Sequence, residues 1–523
     1  MIKQYDYDFV IIGSGFGGSV SALRLSEKGY KVLVVEQGKW FQKESDFPKT
    51  NWNLKKWMWI PKLGMHGLFR LTFYKHVAVM SGAGVGGGSL VYANTLQFPK
   101  SAFFNSGSWK DIADWQKELQ PFYETAKKML GVEKHPYMSK SDEIMHTLAE
   151  EMGIKEAFDK TDVAVYFGKP EETVSDPYFG GEGPDRTGCR KCSGCMLGCR
   201  FNAKNTLDKN YLYFALKLGC EIKAETEVYD VIPFGEDGSG GYTIKFRDSL
   251  STVKKRGSVT TKSIIFAGGV LGTMKLLLKL KKTSLPRLPD SLGKGVRTNS
   301  ESLIGVTTFD RNSSFSDGIA IGSIISIDEN RSVEPVKYPE GAGFWRLFMA
   351  PMVNGNSVFY RLLQMIWDII IHPVANFKAY FVDDWSKRTH ILLYMESIDS
   401  TLQMKRSRFG FLKTSLEQGI APTAFNPISQ TIAKKVEKLV NGKAMVLINE
   451  TLLGIPSTAH ILGGACMGSD SSTGVIDKNN KVFNYENMMI CDGSTISANL
   501  GVNPALTILA ITERAMNQIS NKN

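Results

Sequence analysis

Asp8-Phe-Val-Ile-Ile12, Gly13-Ser-Gly15-Phe-Gly-Gly18 and Lys31-Val-Leu-Val-Val35-Glu36 decide the fold of this chain. The first and last pieces read as short buried strands, and Ser19 to Lys28 has helical composition. Between them stands a full G-x-G-x-x-G turn, with an acid 23 residues after Gly13. This is a dinucleotide-binding βαβ unit rather than a lone glycine run. Gly13 permits the tight turn, Gly15 lets backbone approach a pyrophosphate, and Gly18 allows close helix–strand packing. The phosphates then rest on the helix N-terminus. Glu36 is suited to accept from ribose hydroxyls and to repel a 2′-phosphate.

A second Gly-rich loop, Ser81-Gly-Ala-Gly84-Val-Gly86-Gly87-Gly-Ser89-Leu-Val91, packs five glycines into seven residues. Such a loop aims backbone N–H groups at an anion or lets a flat ligand lie on backbone. Lys262-Ser-Ile-Ile-Phe-Ala-Gly-Gly269 is a further buried strand ending in glycines, and a helix is expected from Thr273 to Leu280. The far end carries Ser457-Thr-Ala-His460-Ile-Leu-Gly-Gly, then Cys491-Asp492-Gly-Ser-Thr, then Asn499-Leu-Gly-Val-Asn503-Pro504 ahead of an apolar helix from Ala505. His460 and Asn503 have the chemistry of an acid/base pair. Cofactor-like pieces thus recur near 8–37, 81–98, 204–233, 261–277 and 457–517. This pattern predicts one discontinuous nucleotide-binding domain with a substrate domain made from its insertions.

The chain has 523 residues, enough for two or three units, and is 43% hydrophobic. Its net charge of +11 is spread along the sequence and favours anionic surfaces, membranes included. No Arg-rich helix or aromatic RNA motif is present, so no nucleic-acid partner is expected. The first strand begins by Asp8, which leaves no room for a secretory signal, and no apolar run reaches the roughly 20 residues of a membrane span. The expected location is cytoplasmic, with peripheral membrane contact open. Two segments have lipid-directed composition. Asn51 to His76 interleaves Trp52, Trp57, Trp59, Phe69 and Phe73 with lysines and Arg70. Ser357 to Ile371, as a helix, has one narrow polar stripe of Ser357, Arg361, Gln364 and Asp368. That helix reads equally as a buried core element or as a greasy lid over an apolar pocket.

Cys189, Cys192, Cys195 and Cys199 have the C-x₂-C-x₂-C-x₃-C spacing of ferredoxin loops. Clustered thiolates call for a metal, which favours an iron–sulfur cluster over a structural zinc or a metal-free loop. Arg200 in place of the usual Pro, and the lack of a second quartet, count against the cluster. Cys220, Cys466 and Cys491 stand apart as core residues.

Over nearly its full length the sequence resembles the glucose–methanol–choline (GMC) flavoprotein oxidoreductases. The Gly13–Gly18 turn with Glu36, the loop Gly84 to Val91, Ala267-Gly-Gly269, His460, and the Asp492 and Asn503-Pro504 blocks carry the resemblance. Asp176 to Cys189 and Ala203 to Tyr211 resemble its sterol-oxidising branch. The resemblance implies an α/β fold with an α+β second domain. A Rossmann-like FAD-binding domain would be joined to a discontinuous substrate domain containing a mixed or antiparallel sheet. FAD-binding parts are expected at 1–100, 186–300 (with the Cys-rich loop) and 456–523 (with the catalytic residues). Residues 101–185 would be a substrate-side insertion and 301–455 the substrate-binding domain. FAD is expected to be non-covalent, because no histidine lies between His76 and His135. Cofactor contacts are expected from Gly13, Gly15, Gly18, Glu36, Gly84, Gly87, Ser89, Val228, Asp492 and Pro504. His460 would be the base, Asn503 would fix the substrate oxygen, and hydride would pass to flavin N5. Asn503, in place of a second histidine, points to a sterol. The glutamate that isomerises the double bond in some sterol oxidases has only Glu396 as a candidate.

The expected function is FAD-dependent oxidation of a hydroxyl group on a sterol or another lipophilic alcohol, with oxygen or another electron acceptor as partner. Three alternatives stand beside it: a dehydrogenase passing electrons through the cysteine cluster to another acceptor, an FAD-bound lyase, and a non-catalytic lipid-binding flavoprotein.

Overall fold

A computed structural model describes residues 4–251, 253–355, 357–398 and 400–522. The opening motif folds as strand Tyr7–Ile12, helix Phe16–Glu27 and strand Val32–Val35, with the two strands parallel from Phe9↔Val32 to Ile12↔Val35. Their all-apolar runs suit strands buried on both faces. Glu221–Lys223 adds outside Val32–Val35, and Arg256–Phe266 pairs on the other side of Tyr7–Ile12, both parallel. On its other edge Arg256–Phe266 serves two partners. Its first half pairs antiparallel with Tyr242–Asp248, while Ile264 to Phe266 pair parallel with Met488–Ile490. Thr226–Pro233 closes the seven-stranded sheet as the edge of a hairpin.

The last helix, Ala505–Asn517, is buried at nearly every position. It packs between helix Phe16–Glu27 and helix Trp115–Met129. Arg24 Nε donates to Glu513 Oε2 at 2.7 Å, and Tyr211 OH donates to Glu513 Oε1 at 2.7 Å. A buried carboxylate needs such partners, and these lock the two ends of the chain together.

The second sheet is seven-stranded and antiparallel throughout. Its order is Met349–Pro351, Gly442–Leu447, Ser302–Thr308, Thr389–Glu396, Arg331–Val336, Ser323–Ile325 and Phe158–Lys160. Both faces are covered, so strand Thr389–Glu396 is buried along its whole length. Leu392 and Tyr394 face one core, with Ile144, Leu148, Ile432 and Val436 of two helices. Ile391, Leu393 and Met395 face the other, with Trp57, Phe69, Trp345 and Trp385. The two-residue alternation of a strand makes this division. It also corrects the lipid-directed reading of Asn51 to His76: Trp57, Trp59 and Phe69 are core, and of the large apolar side chains in that segment only Trp52, Leu63 and Phe73 are exposed.

Candidate active site

The two Gly-rich loops meet. A Cβ on Gly87 would stand 2.6 Å from Gly15 Cα. Ser14 joins them: its hydroxyl donates to Glu36 Oε2 at 2.8 Å and accepts from Gly86 N–H at 3.1 Å. Glu36 is buried and also accepts from Ser14 N at 3.1 Å and Gly38 N at 2.8 Å. It therefore sits at the seam of both loops, and its two oxygens offer about four acceptor positions. Gly15 is the N-cap of helix Phe16–Glu27 and supplies no side-chain cap. The first-turn N–H groups are thereby left for an anion such as a pyrophosphate. Gly18 is packed onto Gly13, with no room for a Cβ, as the third glycine of the fingerprint requires.

Gly13 has φ +105°, and a Cβ there would lie 2.4 Å from Ala267 O. Gly13→Ala combines a disfavoured backbone with a steric clash. We expect this variant to be purified with little of the visible flavin absorbance of the wild type. Full flavin content would show that the turn tolerates a side chain.

The other expected contacts divide. Gly84 (φ +139°) begins the second loop against Phe41 and Leu90. Ser89 is committed to backbone: its hydroxyl donates to Gly86 O at 2.7 Å and accepts from Leu207 N–H at 3.1 Å. Val228 packs in the main core. Asp492 is buried and accepts from Ser494 N, Ser494 Oγ and Thr273 Oγ1, so it braces the turn Gly493–Thr495. Its carboxyl is raised above the ordinary aspartate value by burial, against those hydrogen bonds. Pro504 is the N-cap of helix Ala505–Asn517, directly ahead of its first helical residue.

His460 comes to this region through strand addition. Ser457–Thr458 pairs parallel with Ala78–Val79, whose strand runs into the second Gly-rich loop. Beyond His460, Gly463 N donates to Gly493 O and Ala465 N to Ser494 O, which ties the histidine loop to the Asp492 turn. Asn503 is held from the neighbouring segment, where Asn299 Nδ2 donates to Val502 O at 2.9 Å.

Two glutamates complete the group. His460 Nδ1 lies 2.7 Å from Glu301 Oε1, and Glu301 also accepts from Thr458 Oγ1 at 2.7 Å and Ala459 N at 2.9 Å. Asn503 Nδ2 donates to Glu334 Oε2 at 3.3 Å. All four side chains are buried, and Asn503 Oδ1 and Glu334 Oε1 have no protein hydrogen-bond partner. Burial works to lower the His460 pKa, but the carboxylates of Glu301 and Glu334 outweigh it and raise the value above that of an ordinary histidine. Burial raises the Glu334 carboxyl to about 7, against the lowering effects of His460 and Asn503. The site thus holds a basic nitrogen, a carboxyl poised near neutrality, and two buried oxygens available to a ligand.

Sequence reading missed both glutamates. Glu334 did leave a sign, as an acid between Val333 and Pro335 in a buried strand. Glu301 stands just before strand Ser302–Thr308, and only the fold brings it to a histidine 159 positions away. Glu396 is not part of this group: it accepts from Arg331 Nε at 2.8 Å and Asn426 Nδ2 at 2.7 Å, a structural bridge.

The cysteine cluster does not gather as ligands. Cys189, Cys192, Cys195 and Cys199 are free, and among the described residues no three His, Cys, Asp or Glu side chains group to hold a metal. Cys189 and Cys195 pack among Val163, Val165, Ala203, Ile319 and Ala320, while Cys192 and Cys199 line a separate cavity of about 400 Å³ with Lys49, Lys191 and Arg200. Cys199 packs against the same apolar cluster as Cys189 and Cys195. The expected iron–sulfur cluster therefore has no support in the fold.

Comparison with known proteins agrees with the geometry. A family model described as FAD binding domain matches residues 8–49, and one described as GMC oxidoreductase matches residues 407–512. The chain is 42% identical to a cholesterol oxidase of Acinetobacter baumannii, covering 100% of this chain and 96% of the relative. It is 40% identical to a cholesterol oxidase of Mycobacterium tuberculosis, covering 99% and 92%. The solved structure of pyridoxine 4-oxidase from Mesorbium loti superposes with a TM-score of 0.63 at 14% identity, covering 98% of each chain, a likeness of fold. With a nucleotide cradle at one end and a buried histidine brought beside it from the other, the chain belongs to the GMC oxidoreductase family and is an FAD-dependent oxidoreductase acting on CH–OH donors.

Proposed function

We propose that the substrate is a sterol or a closely similar lipid alcohol and that oxygen is the acceptor. The observation that carries this is the buried quartet His460, Glu301, Asn503 and Glu334, with Asn503 Oδ1 and Glu334 Oε1 unpaired. Identity of 40–42% to two cholesterol oxidases over almost the full chain supports it. Such a substrate resides in bilayers, so peripheral membrane contact belongs to this reading.

Oxidising a secondary alcohol removes a proton from oxygen and two electrons from carbon. Bound FAD is the two-electron acceptor, with Gly13, Gly15, Gly18, Glu36, Gly84 and Gly87 forming its cradle. His460 takes the hydroxyl proton. Its Nδ1 is ion-paired with Glu301 at 2.7 Å, so Nε2 is the nitrogen left for the substrate. Glu301 fixes the ring and stabilises the imidazolium. Asn503 orients the carbinol oxygen, and the N-terminus of helix Ala505–Asn517 adds a positive potential at its side. Exclusion of water strengthens each of these interactions.

Glu334 gives the site a second capacity. Oxidation of a 3-hydroxy-5-ene sterol yields a ketone with acidified protons at C4. A carboxyl near pKa 7 is suited to take one of them and return it at C6. Glu334, rather than Glu396, is the glutamate we assign to double-bond isomerisation.

Anaerobic mixing with cholesterol tests the substrate. The visible flavin absorbance should bleach, and air should restore it with one peroxide formed per steroid oxidised. Flavin that stays unbleached with cholesterol while bleaching with small alcohols would overturn the sterol assignment. The role of Glu301 has its own test. Glu301→Gln removes the main charge that holds the His460 pKa up and leaves burial, which lowers it. The acid limb of kcat/KM should shift to lower pH, with kcat reduced about ten- to one hundred-fold. An unmoved limb would separate Glu301 from the proton step.

A further inference from the structure

Helix Val358–Ile371 is built inside out. Arg361 and Asp368 of its polar stripe face the protein, and its apolar face is bare. Arg361 is 6% exposed, and its guanidinium donates to Leu452 O at 2.7 Å and Gly355 O at 2.7 Å. Asp368 pairs with Lys443 at 2.8 Å and accepts from Asn376 at 3.0 Å. Arg361 is the only buried residue of the helix. Phe359 is 70% exposed, Trp367 57% and Ile370 62%, and most of the remaining apolar side chains are also exposed. The next helix, Pro373–Tyr380, buries Asn376 and Ala379, while Val374 and Phe377 are bare, as is Phe381 beyond it. Arg346 donates to Val382 O at 2.7 Å, which places exposed Leu347 and Phe348 beside the end of this pair. A soluble surface rarely leaves so large a contiguous apolar area uncovered.

From this surface we infer that residues 358–381 form a bent pair of helices that docks the enzyme into one leaflet of an anionic bilayer. Length and shape select the mode. The first helix has 14 residues, about 21 Å at 1.5 Å per residue, against roughly 30 Å of hydrocarbon. The second leaves it at 97°. No single helix among the described residues is long and apolar enough to cross a membrane. An amphipathic pair lying in the interface fits these dimensions. Charge selects the surface. The one acid of the segment, Asp368, is turned inward and neutralised by Lys443, while Lys378 is exposed and the chain carries +11. Trp367 and Tyr360 are residues suited to the headgroup boundary.

The pair is tied to the segment that leads to the catalytic histidine, without touching the catalytic group itself. Arg361 holds the turn Asn449–Leu453, and the chain passes from there through Ser457–Thr458 to His460. Docking would bring the enzyme to the bilayer in which a sterol resides. That consequence rests on the sterol reading, whereas the docking itself rests on the exposed surface.

The test uses the holoenzyme and sterol-free vesicles of equal parts phosphatidylcholine and phosphatidylglycerol. The wild type should co-sediment with them. Ile366→Ser/Ile370→Ser/Phe377→Ser should lower the partition coefficient at least about thirty-fold, with flavin content and turnover of detergent-dispersed alcohol unchanged. Brominated lipid chains should quench fluorescence from Trp367, seen as a difference between wild type and Trp367→Phe. The proposal is overturned if the wild type stays in solution, or if the triple variant binds as the wild type does. It is equally overturned if the patch joins two copies of the chain, seen as a dimer that becomes monomer in the variant without vesicle binding. Failure of cholesterol to bleach the flavin would remove the sterol reading and leave the vesicle result standing.

Discussion

His460→Ala should lower kcat for alcohol oxidation about a thousand-fold while the protein keeps its flavin. General-base catalysis by a positioned imidazole contributes about 10² to 10⁴ in rate. The side chain lies against Glu301 and outside the Gly-rich cradle, so cofactor content should stay near that of the wild type. The same variant leaves the buried Glu301 carboxylate with only Thr458 and Ala459 as donors. A buried charge that loses a partner destabilises, here by about 1–3 kcal/mol. Adding Glu301→Gln to His460→Ala should therefore recover part of the lost melting temperature without recovering turnover. Steady-state kinetics, flavin absorbance and thermal unfolding of the three proteins read these effects separately. Wild-type turnover in His460→Ala would remove the histidine from the proton step.

Glu334→Gln should split the two reactions. Oxidation continues, because His460 and Asn503 remain, while isomerisation falls about a thousand-fold for want of a group that exchanges a proton. The released steroid should then be the unconjugated ketone, identified by its missing enone absorbance. A pH signature accompanies the change. The folded carboxyl titrates at about 7 against an ordinary value of 4.5, so the folded state keeps a proton that the unfolded chain releases between those values. Stability contributed by the protonated group is lost as pH rises through that window. Glutamine, which never ionises, should make the protein more stable than the wild type above about pH 7, by about 3 kcal/mol. The two should unfold alike below about pH 4. A variant with unchanged isomerisation, or one less stable than the wild type at high pH, would remove Glu334 from this role.

The cofactor half of the molecule was legible because its signals are local. A turn that needs φ +105° at Gly13, and a helix start that must stay uncapped at Gly15, are written in adjacent residues. The antiparallel second sheet followed less directly. Its strands are buried on both faces, so Thr389–Glu396 lacks the polar alternation that announces a strand. The cysteine spacing misled for a related reason. Spacing along a chain does not say where each sulfur points, and here Val163, Ile319 and Ala320 draw Cys189 and Cys195 into an apolar cluster.

Composition gave the helix at Ser357 to Ile371 a narrow polar stripe, and no more. Whether that stripe faced water or protein depended on what lay against it, and Leu452 O, Gly355 O and Lys443 turned it inward. By itself the sequence singled out the two Gly-rich loops, the histidine and the asparagine as candidates. Backbone geometry at glycines and the chemistry of single side chains are properties of a few neighbouring residues. Only the tertiary structure decided that Glu301 supports His460, that Glu334 faces Asn503, and that an apolar pair of helices stands bare. Those relations join residues far apart in the chain, and burial, which sets their pKa values and exposure, exists only once the two sheets have closed around them.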